Sequence, residues 1–184
     1  MTVENIGLVR LCEDYQLQSG EVFAGCEDNT FYLRMTGDVR LTWSVSLEDY
    51  CRHVFQTQSI ESVLIDLCQV RNLDSTTLGI LAKIAIAAKA ELGRMPEIYF
   101  QDADIERLLM SMGFYAIFVL HDSMPPLAPQ LPRLPLLDAS ASEMQETVID
   151  AHRTLMDMNK QNSDQFESLV STLSSDRNKS GPAQ

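Results

Sequence analysis

Basic residues are scarce in this chain of 184 residues, which has 14 Lys and Arg against 26 Asp and Glu and a net charge of −12. Nucleic acids and anionic membrane surfaces are bound through clusters of Lys and Arg. The composition therefore argues against either as the main partner. It permits a basic protein partner, although acidity usually serves only solubility.

Long apolar runs are also missing. No run is long enough to span a bilayer, and Met1–Gln18 has no basic segment followed by an apolar one. A membrane span and a secretory signal are therefore not predicted, and we expect a cytoplasmic protein.

Cysteine and histidine are few and widely separated. They are Cys12, Cys26, Cys51, Cys68, His53, His121 and His152. The cysteines form no CxxC pair, so we expect reduced, structural thiols. The histidines share no spacing typical of metal ligands, so we expect no metal site and no cofactor.

The most informative stretch of the chain begins with the apolar run Ser62–Leu67, which is typical of a strand buried on both faces. A polar turn is predicted over Cys68–Leu73. The alanine-rich segment that follows, as far as Leu92, predicts a helix packed on a sheet. Asp74 or Ser75 would lie at its N-cap.

Two interpretations of Asp74-Ser75-Thr76 are open on physical grounds. Asp, Ser and Thr are common N-caps, and taken alone the residues favour that simple structural role. A hydroxyl at the start of a helix can also be a phosphorylation site, because a phosphate there meets free N–H groups and the positive end of the helix dipole.

The segments Val63–Leu67 and Leu73–Gly79 resemble the signature of the STAS domain, the bacterial anti-sigma-factor antagonist family. In that family a strand ending in Asp-Leu leads through a short loop to Asp-Ser-[Ser/Thr]-Gly-Leu-Gly at the start of a helix. A partner kinase phosphorylates the serine. The resemblance implies that Ser75 is the phosphoacceptor, with Thr76 as second choice. Thr77 stands where the family usually has glycine, so the fit of a partner could differ.

A second segment, Gly37–Thr42, is similar to the family's Gly-Glu-[Leu/Ile]-Asp, whose last acid lies near the phosphoserine. The chain keeps the glycine and has an acid at Asp38, but Arg40 stands where the later aspartate would be. Arg40 either pairs with a phosphate on Ser75 or faces solvent, and both interpretations stay open. The partner interface implied by the resemblance comprises Gly37, Asp38, Arg40, Asp74, Ser75, Thr76, Thr77 and Gly79.

The remaining elements predict an α/β fold. Apolar runs at Glu21–Cys26 and Thr30–Met35 flank an Asp-Asn turn and predict a hairpin. Further elements are a helix over Thr42–Gln58, a strand over Met95–Phe100, a helix over Ala103–Met112 capped by Asp102, and a strand over Phe114–Leu120, with Gly93 and Gly113 closing two helices. The order β-β-α-β-α-β-α-β implies a mixed sheet covered by helices, as in STAS domains. The segment Ile105–Phe114 also resembles the family's closing helix.

The chain divides into five predicted regions. They are an N-terminal extension (1–19), the STAS domain (20–122), a proline-rich linker (123–139), an amphipathic helix (140–175) and a disordered tail (176–184). The linker contains PxxP motifs, but its composition is that of a stiff spacer.

The C-terminal helix is predicted to begin with a capping box at Ser140–Glu143. Its apolar residues then follow at spacings of three and four. It forms one helix, or two if it breaks near Asn162–Asp164. Its apolar stripe must be covered by its own domain, which we prefer, by a second copy in a homodimer, or by a partner.

The resemblance implies a binding protein switched by phosphorylation. The unmodified antagonist binds a regulator, usually an anti-sigma factor. A serine kinase of the histidine-kinase ATPase type adds the phosphate and a PP2C-like phosphatase removes it. The segments Gly37–Thr42 and Asp74–Gly79, with the long C-terminal helix, look most like the branch tied to motility and biofilm control.

Two alternatives are a receiver-like domain and a constitutive scaffold. Asp66 ends a buried strand, where a receiver has its phospho-accepting aspartate, but no acidic pair follows an early strand to hold Mg²⁺. We therefore expect Asp66 to be structural. No G-x-S-x-G, P-loop or HExxH motif occurs, so no enzymatic activity is expected.

Overall fold

The computed structural model describes residues 20–125 and 129–179. The predicted extension over residues 1–19, the middle of the proline-rich segment and the last five residues lie outside this range. The elements in chain order are β1 (Glu21–Glu27), β2 (Thr30–Val39), α1 (Ser44–Thr57), β3 (Ser62–Leu73), α2 (Ser75–Leu92), β4 (Glu97–Phe100), α3 (Ala103–Ser111), β5 (Val119–Asp122), α4 (Ala141–Met158) and α5 (Lys160–Lys179). Short 3₁₀ helices at Leu41–Trp43 and Phe114–Ala116 precede α1 and β5.

The five strands form one mixed sheet in the order β1-β2-β3-β4-β5. The β1–β2 pair is antiparallel and the other pairs are parallel. Each parallel connection joins neighbouring strands through a helix. Such crossovers are right-handed in nearly all proteins, and this handedness would place α1, α2 and α3 on the same face of the sheet. The predicted α/β class and the element order are confirmed.

The predicted hairpin is also confirmed. Asp28 and Asn29 form its turn with φ angles of 49° and 58°, as a two-residue turn between twisted strands requires. In β2, Phe31, Leu33 and Met35 are fully buried. The side chains between them lie on the other face and are half-buried.

The polar turn predicted over Cys68–Leu73 is wrong, because β3 continues through these residues. β2 is itself long, and it pairs with β3 as far as Val39 opposite Leu73. The partner strand satisfies the backbone of this polar segment, while Val70 and Leu73 are buried. The central strand therefore leads directly into Asp74.

The strand predicted over Phe114–Leu120 begins only at Val119. Phe114 and Phe118 are both buried, and their rings stack with centroids 5.4 Å apart. A spacing of four residues brings both rings to the same side of a helical turn. The first part of the apolar run therefore forms a helical turn, and the strand starts after it.

The predicted caps of α2 and α3 agree with the structure, whereas the helix predicted over Thr42–Gln58 is the shorter α1, Ser44–Thr57. Asp74 is the N-cap of α2, and Gly93 ends that helix in the left-handed conformation with a φ of 67°. Asp102 caps α3, and Gly113 follows that helix with a φ of 83°. Glycine adopts this conformation without steric cost, which is why it terminates helices.

Part of the proline-rich segment lies along the outer edge of β1. The Ala24 N–H donates to the Pro132 carbonyl at 3.2 Å, and the Leu134 N–H donates to the Val22 carbonyl at 2.8 Å. The Leu134 side chain is buried in the core. This part of the segment is extended, as predicted, and it also covers a sheet edge.

The C-terminal region forms two helices separated by Asn159, whose backbone is extended. The break therefore lies before the position predicted for it, Asn162–Asp164. The capping box of Ser140 and Glu143 is present at the start of α4. Helix α4 packs on α2 and α1, and α5 packs on α4. Helix α5 continues past the predicted end at residue 175, as far as Lys179.

Within residues 20–125 and 129–179, no helix has the length and apolar character needed to cross a membrane.

Candidate phosphorylation site and its cover

The Asp74 side chain joins the start of α2 to the 3₁₀ helix that follows β2. Its Oδ1 accepts hydrogen bonds from the N–H and the Oγ1 of Thr77, both at 2.8 Å. Its Oδ2 accepts from the N–H of Leu41 at 2.5 Å. Both carboxylate oxygens are thus occupied, so the position of Ser75 is fixed by a rigid strand and a capped helix.

Ser75, the first residue of α2, is half-buried and contacts the C-terminal region. Its Oγ lies 2.8 Å from Nε2 of His152 in α4. Nδ1 of the same ring lies 2.8 Å from the carbonyl oxygen of Val148. Because a carbonyl only accepts, we assign the proton to Nδ1, which makes Nε2 of the neutral ring the acceptor and the Ser75 hydroxyl the donor.

His152 is held on every side. Its side chain is 2% exposed and meets the ring of Phe166 edge-on, with centroids 4.9 Å apart. The imidazole therefore has little freedom to move away from Ser75 while α4 and α5 stay in place.

Helix α4 crosses α2 very closely at Gly79. A Cβ atom at this position would lie 2.4 Å from the carbonyl oxygen and 2.7 Å from the Cβ of Ala151. Only glycine permits this approach, which gives the glycine of the Leu-Gly motif a packing role in this chain.

Lys83, one turn further along α2, links three helices. Its Nζ forms an ion pair with Glu48 of α1 at 2.7 Å and a second with Asp150 of α4. The Lys83 and Glu48 side chains are 22% and 23% exposed, so solvent screens their pair only partly, whereas the Asp150 side chain is 60% exposed.

The junction between α4 and α5 is fastened to the end of α3. Nδ2 of the buried Asn162 donates to the carbonyl oxygens of Met112 and Leu155, both at 3.0 Å. Nδ2 of Asn159 reaches the same Met112 oxygen at 3.3 Å. Asn159 also caps α5, because its Oδ1 accepts from the N–H of Asn162 at 2.9 Å.

The loop after β2 carries a small charge cluster. Arg40 is 62% exposed, and its Nη2 lies 3.3 Å from Oδ2 of Asp38. Nε of Arg71 lies 3.8 Å from Oδ1 of the same carboxylate. Arg40 is thus a solvent-facing residue paired with Asp38, and such surface pairs contribute only about 0–1 kcal/mol.

The residues predicted for the interface differ in exposure. Asp74 and Ser75 are half-buried, whereas Thr76, Thr77 and Gly79 are buried. Gly37, with a φ of 64°, and Asp38 are also half-buried. The role of these residues in binding stays a prediction. Gly79 in particular could contact a partner only if α4 were displaced.

Sequence reasoning missed the contacts of His152, Ala151 and Asp150, which lie more than sixty residues beyond the α2 residues that they meet. One signal was available. His152 falls beside Ala151 on the apolar stripe of the C-terminal helix, and a histidine on a buried face needs a hydrogen-bond partner.

Asp66 has occupied oxygens as well. Its Oδ2 lies 2.9 Å from Nε of Arg34, and its Oδ1 accepts from the N–H of Cys68 at 3.0 Å. Burial raises the pKa of the Cys68 thiol to about 12, and the hydrogen bond and charge of Asp66 add to the effect. Asp66 thus serves to fix β3 against β2, and the thiol stays protonated at neutral pH.

In the described part of the chain, no group of three or more His, Cys, Asp and Glu side chains is arranged to hold a metal ion.

No protein-family model matches the chain, and no curated protein matches it. Solved structures do resemble it. An anti-sigma factor antagonist from Mycobacterium paratuberculosis has 21% sequence identity and a TM-score of 0.48, covering 58% of this chain and 88% of that chain. The Bacillus cell fate determinant SpoIIAA in its phosphorylated form has 8% identity and a TM-score of 0.46, covering 54% of this chain and 90% of that one. At these values the likeness assigns no function to this chain.

Proposed function

We propose that the protein is a STAS-type anti-sigma-factor antagonist that binds a regulator while Ser75 is unmodified and loses it when Ser75 is phosphorylated. The observation that carries the proposal is the position of Ser75. Ser75 is the first residue of an 18-residue helix and directly follows Asp74, the N-cap at the end of the central strand. This is the position that the Asp-Ser-Thr segment has in the motif it resembles.

The chemistry of a phosphate at this position supports a switch. Phosphoserine adds about −1.5 to −2 charge at neutral pH. It would lie at the positive end of the α2 dipole but beside Asp74, on a protein whose net charge is already −12. An acidic partner surface would be repelled, and docking would require desolvation of a dianion.

Arg40 provides the counter-charge in this proposal. Its present pair with Asp38 is long and exposed, so exchange of Asp38 for a phosphate would cost little. A phosphate accepts shorter, charge-assisted hydrogen bonds from a guanidinium. The arginine that replaces the family's aspartate would then help the phosphorylated state to present a different surface.

The partners follow from the same resemblance. They are an anti-sigma factor or equivalent regulator, a serine kinase of the histidine-kinase ATPase type and a PP2C-like phosphatase. The similarity of Gly37–Thr42 to the motility and biofilm branch suggests a flagellar anti-sigma factor as target. The protein itself would work in the cytoplasm, with neither nucleic acid nor membrane as partner.

The Ser75–His152 contact raises a second candidate, because a serine bonded to a histidine is the core of many hydrolytic sites. Here the second ring nitrogen bonds the backbone oxygen of Val148 where such sites commonly have a carboxylate. The ring is also buried beneath Phe166, which leaves a substrate little room beside Nε2. We therefore favour a binding protein without catalysis.

The test is affinity purification of the wild-type protein beside Ser75→Ala and phosphoserine-75 forms, with identification of the bound proteins and calorimetry for each. We expect the wild-type and Ser75→Ala proteins to retain one regulator that the phosphorylated form binds about a hundredfold more weakly, equivalent to about 3 kcal/mol. Equal affinity of all three forms for every recovered protein would support a constitutive scaffold.

A further inference from the structure

We propose that α4 and α5 form a displaceable lid over Ser75, and that docking of this lid and a phosphate on Ser75 exclude each other. The lid is part of the same chain, so access to the site is regulated from within the molecule. The exclusion of phosphate rests on the proposed function, whereas the existence of a lid does not.

The exclusion follows from the space around Ser75. Only 2.8 Å separates its Oγ from Nε2 of His152. A phosphoryl group adds a phosphorus and three oxygens to Oγ, and these atoms need the volume that the imidazole now fills. The ring cannot turn aside, because Phe166 and the backbone of α4 enclose it at 2% exposure. A phosphate in the present orientation of the Ser75 side chain therefore requires α4 to move, and one turned away from the ring breaks the hydrogen bond that joins α4 to Ser75.

Apolar packing and two specific polar contacts hold α4 on α2, and Ala151 and Leu155 of α4 belong to the apolar core. At Gly79 the two helices touch through backbone and small side chains only. At Lys83 one cation joins Asp150 of the lid to Glu48 of α1. The removal of that cation leaves two carboxylates facing each other, which favours separation of the helices.

The lid is tethered on its N-terminal side. The segment before it pairs with β1 at Pro132 and Leu134, and the N–H of Leu137 donates to Oγ of Ser46 at 2.9 Å. Helix α4 starts soon afterwards at Ala141. A displaced lid would thus stay close to its site and rebind without diffusing away, so it would compete effectively with an external protein.

This arrangement has a consequence for the order of events. A kinase must reach the Ser75 hydroxyl, and a regulator that binds the Asp74–Thr77 turn must reach the same face of α2. Both need the lid to be open. The closed state is then a resting form. Phosphorylation, once achieved, keeps the lid open, but the charge of the phosphate repels the regulator from the exposed face.

The first experiment tests the lid without any phosphate. Amide hydrogen exchange is followed by mass spectrometry on the full-length wild-type protein, Lys83→Glu and Lys83→Glu/Asp150→Lys. We expect exchange in α4 to be about tenfold faster in the single variant, with recovery in the double variant, which restores an opposite-charge pair. Exchange in β2 and β3 should not change, which shows that the sheet stays folded.

Lys89→Glu is the matched control, because it makes the same charge change on the exposed side of α2. It should leave exchange in α4 unchanged. If Lys83→Glu and Lys89→Glu give the same exchange in α4, then Lys83 does not hold α4 in place and the lid proposal fails.

The second experiment uses protein with phosphoserine incorporated at position 75 during translation, so that no kinase is needed. We expect about tenfold faster exchange in α4 and α5 than in the unmodified protein. Unchanged exchange would overturn the proposed exclusion even if the phosphate weakened regulator binding, which would leave the proposed function standing. Faster exchange in α4 and α5 without any effect of the phosphate on partner binding would support the exclusion and contradict the proposed function.

Discussion

The hydroxyl of Ser75 lies 2.8 Å from Nε2 of His152, although 77 residues separate them in the chain. The contact joins the first residue of α2 to the buried face of α4. Under the lid proposal, a group that modifies or binds Ser75 would also displace the C-terminal helices. The contact would then give those helices a regulatory role.

The Ser75–His152 bond can be measured as a coupling energy. His152→Ala should lower the free energy of unfolding by about 2–4 kcal/mol, because it leaves a cavity beneath Phe166 and a half-buried hydroxyl without its partner. Ser75→Ala should cost about 1 kcal/mol. Urea unfolding of both variants and the double variant should give a coupling of about 1 kcal/mol. Strict additivity would mean that the hydrogen bond contributes nothing.

Ser75 should be the phosphorylated residue. Phosphopeptide mapping of protein isolated from its native cells should place one phosphate on Ser75, and Ser75→Ala should abolish the signal. Thr76 is the second choice, but its side chain is 5% exposed and less accessible than Ser75. Thr76→Ala is the matched control and should keep the phosphate. A full signal in Ser75→Ala would exclude this assignment.

Gly79 should tolerate no side chain. An alanine normally stabilises a helix interior by about 1 kcal/mol relative to glycine. Here its Cβ would lie 2.4 Å from the Ala151 oxygen, and such overpacking costs about 1–3 kcal/mol. We expect Gly79→Ala to lower the free energy of unfolding by about 1–2 kcal/mol in urea titrations.

The control for that experiment lies on the same helix. Ala90 is exposed, so Ala90→Gly should show the propensity difference alone, a loss of about 1 kcal/mol. If Gly79→Ala instead stabilised the protein, then the close crossing of α2 and α4 would not be maintained in solution.

The sequence predicted the sheet well and the cover of the site poorly, for physical reasons. Strand alternation in β2 and the caps at Asp74 and Gly93 are local, so a short window contains the information. The contact of His152 with Ser75 depends on how α4 docks. The amphipathic pattern of α4 predicts that its apolar face is buried, but it does not predict which surface covers that face. The misjudged turn after Leu67 has the same cause, since the pairing of polar residues there depends on the length of β2.

Ser75 should not act as a hydrolytic nucleophile. A fluorophosphonate probe should leave the folded protein unlabelled, because His152 is buried and its second nitrogen bonds the Val148 carbonyl. Labelling measured by intact mass, with Ser75→Ala as control, tests this. Labelling of the wild-type protein that Ser75→Ala lost, together with ester turnover, would favour the hydrolase candidate.

The last prediction concerns which residues the domain needs to fold alone. A fragment ending at residue 139 keeps the sheet, helices α1–α3 and the strand-like segment that covers β1, and it should melt cooperatively. A fragment ending at Pro125 also loses the buried Leu134 and two hydrogen bonds to β1. It should be less stable by about 2–4 kcal/mol and should associate through its uncovered edge. Urea unfolding and size-exclusion chromatography of the two fragments test this. A non-cooperative melt of the longer fragment would show that α4 and α5 belong to one folding unit with the sheet, since Ala151, Leu155 and Phe166 pack into the same apolar core.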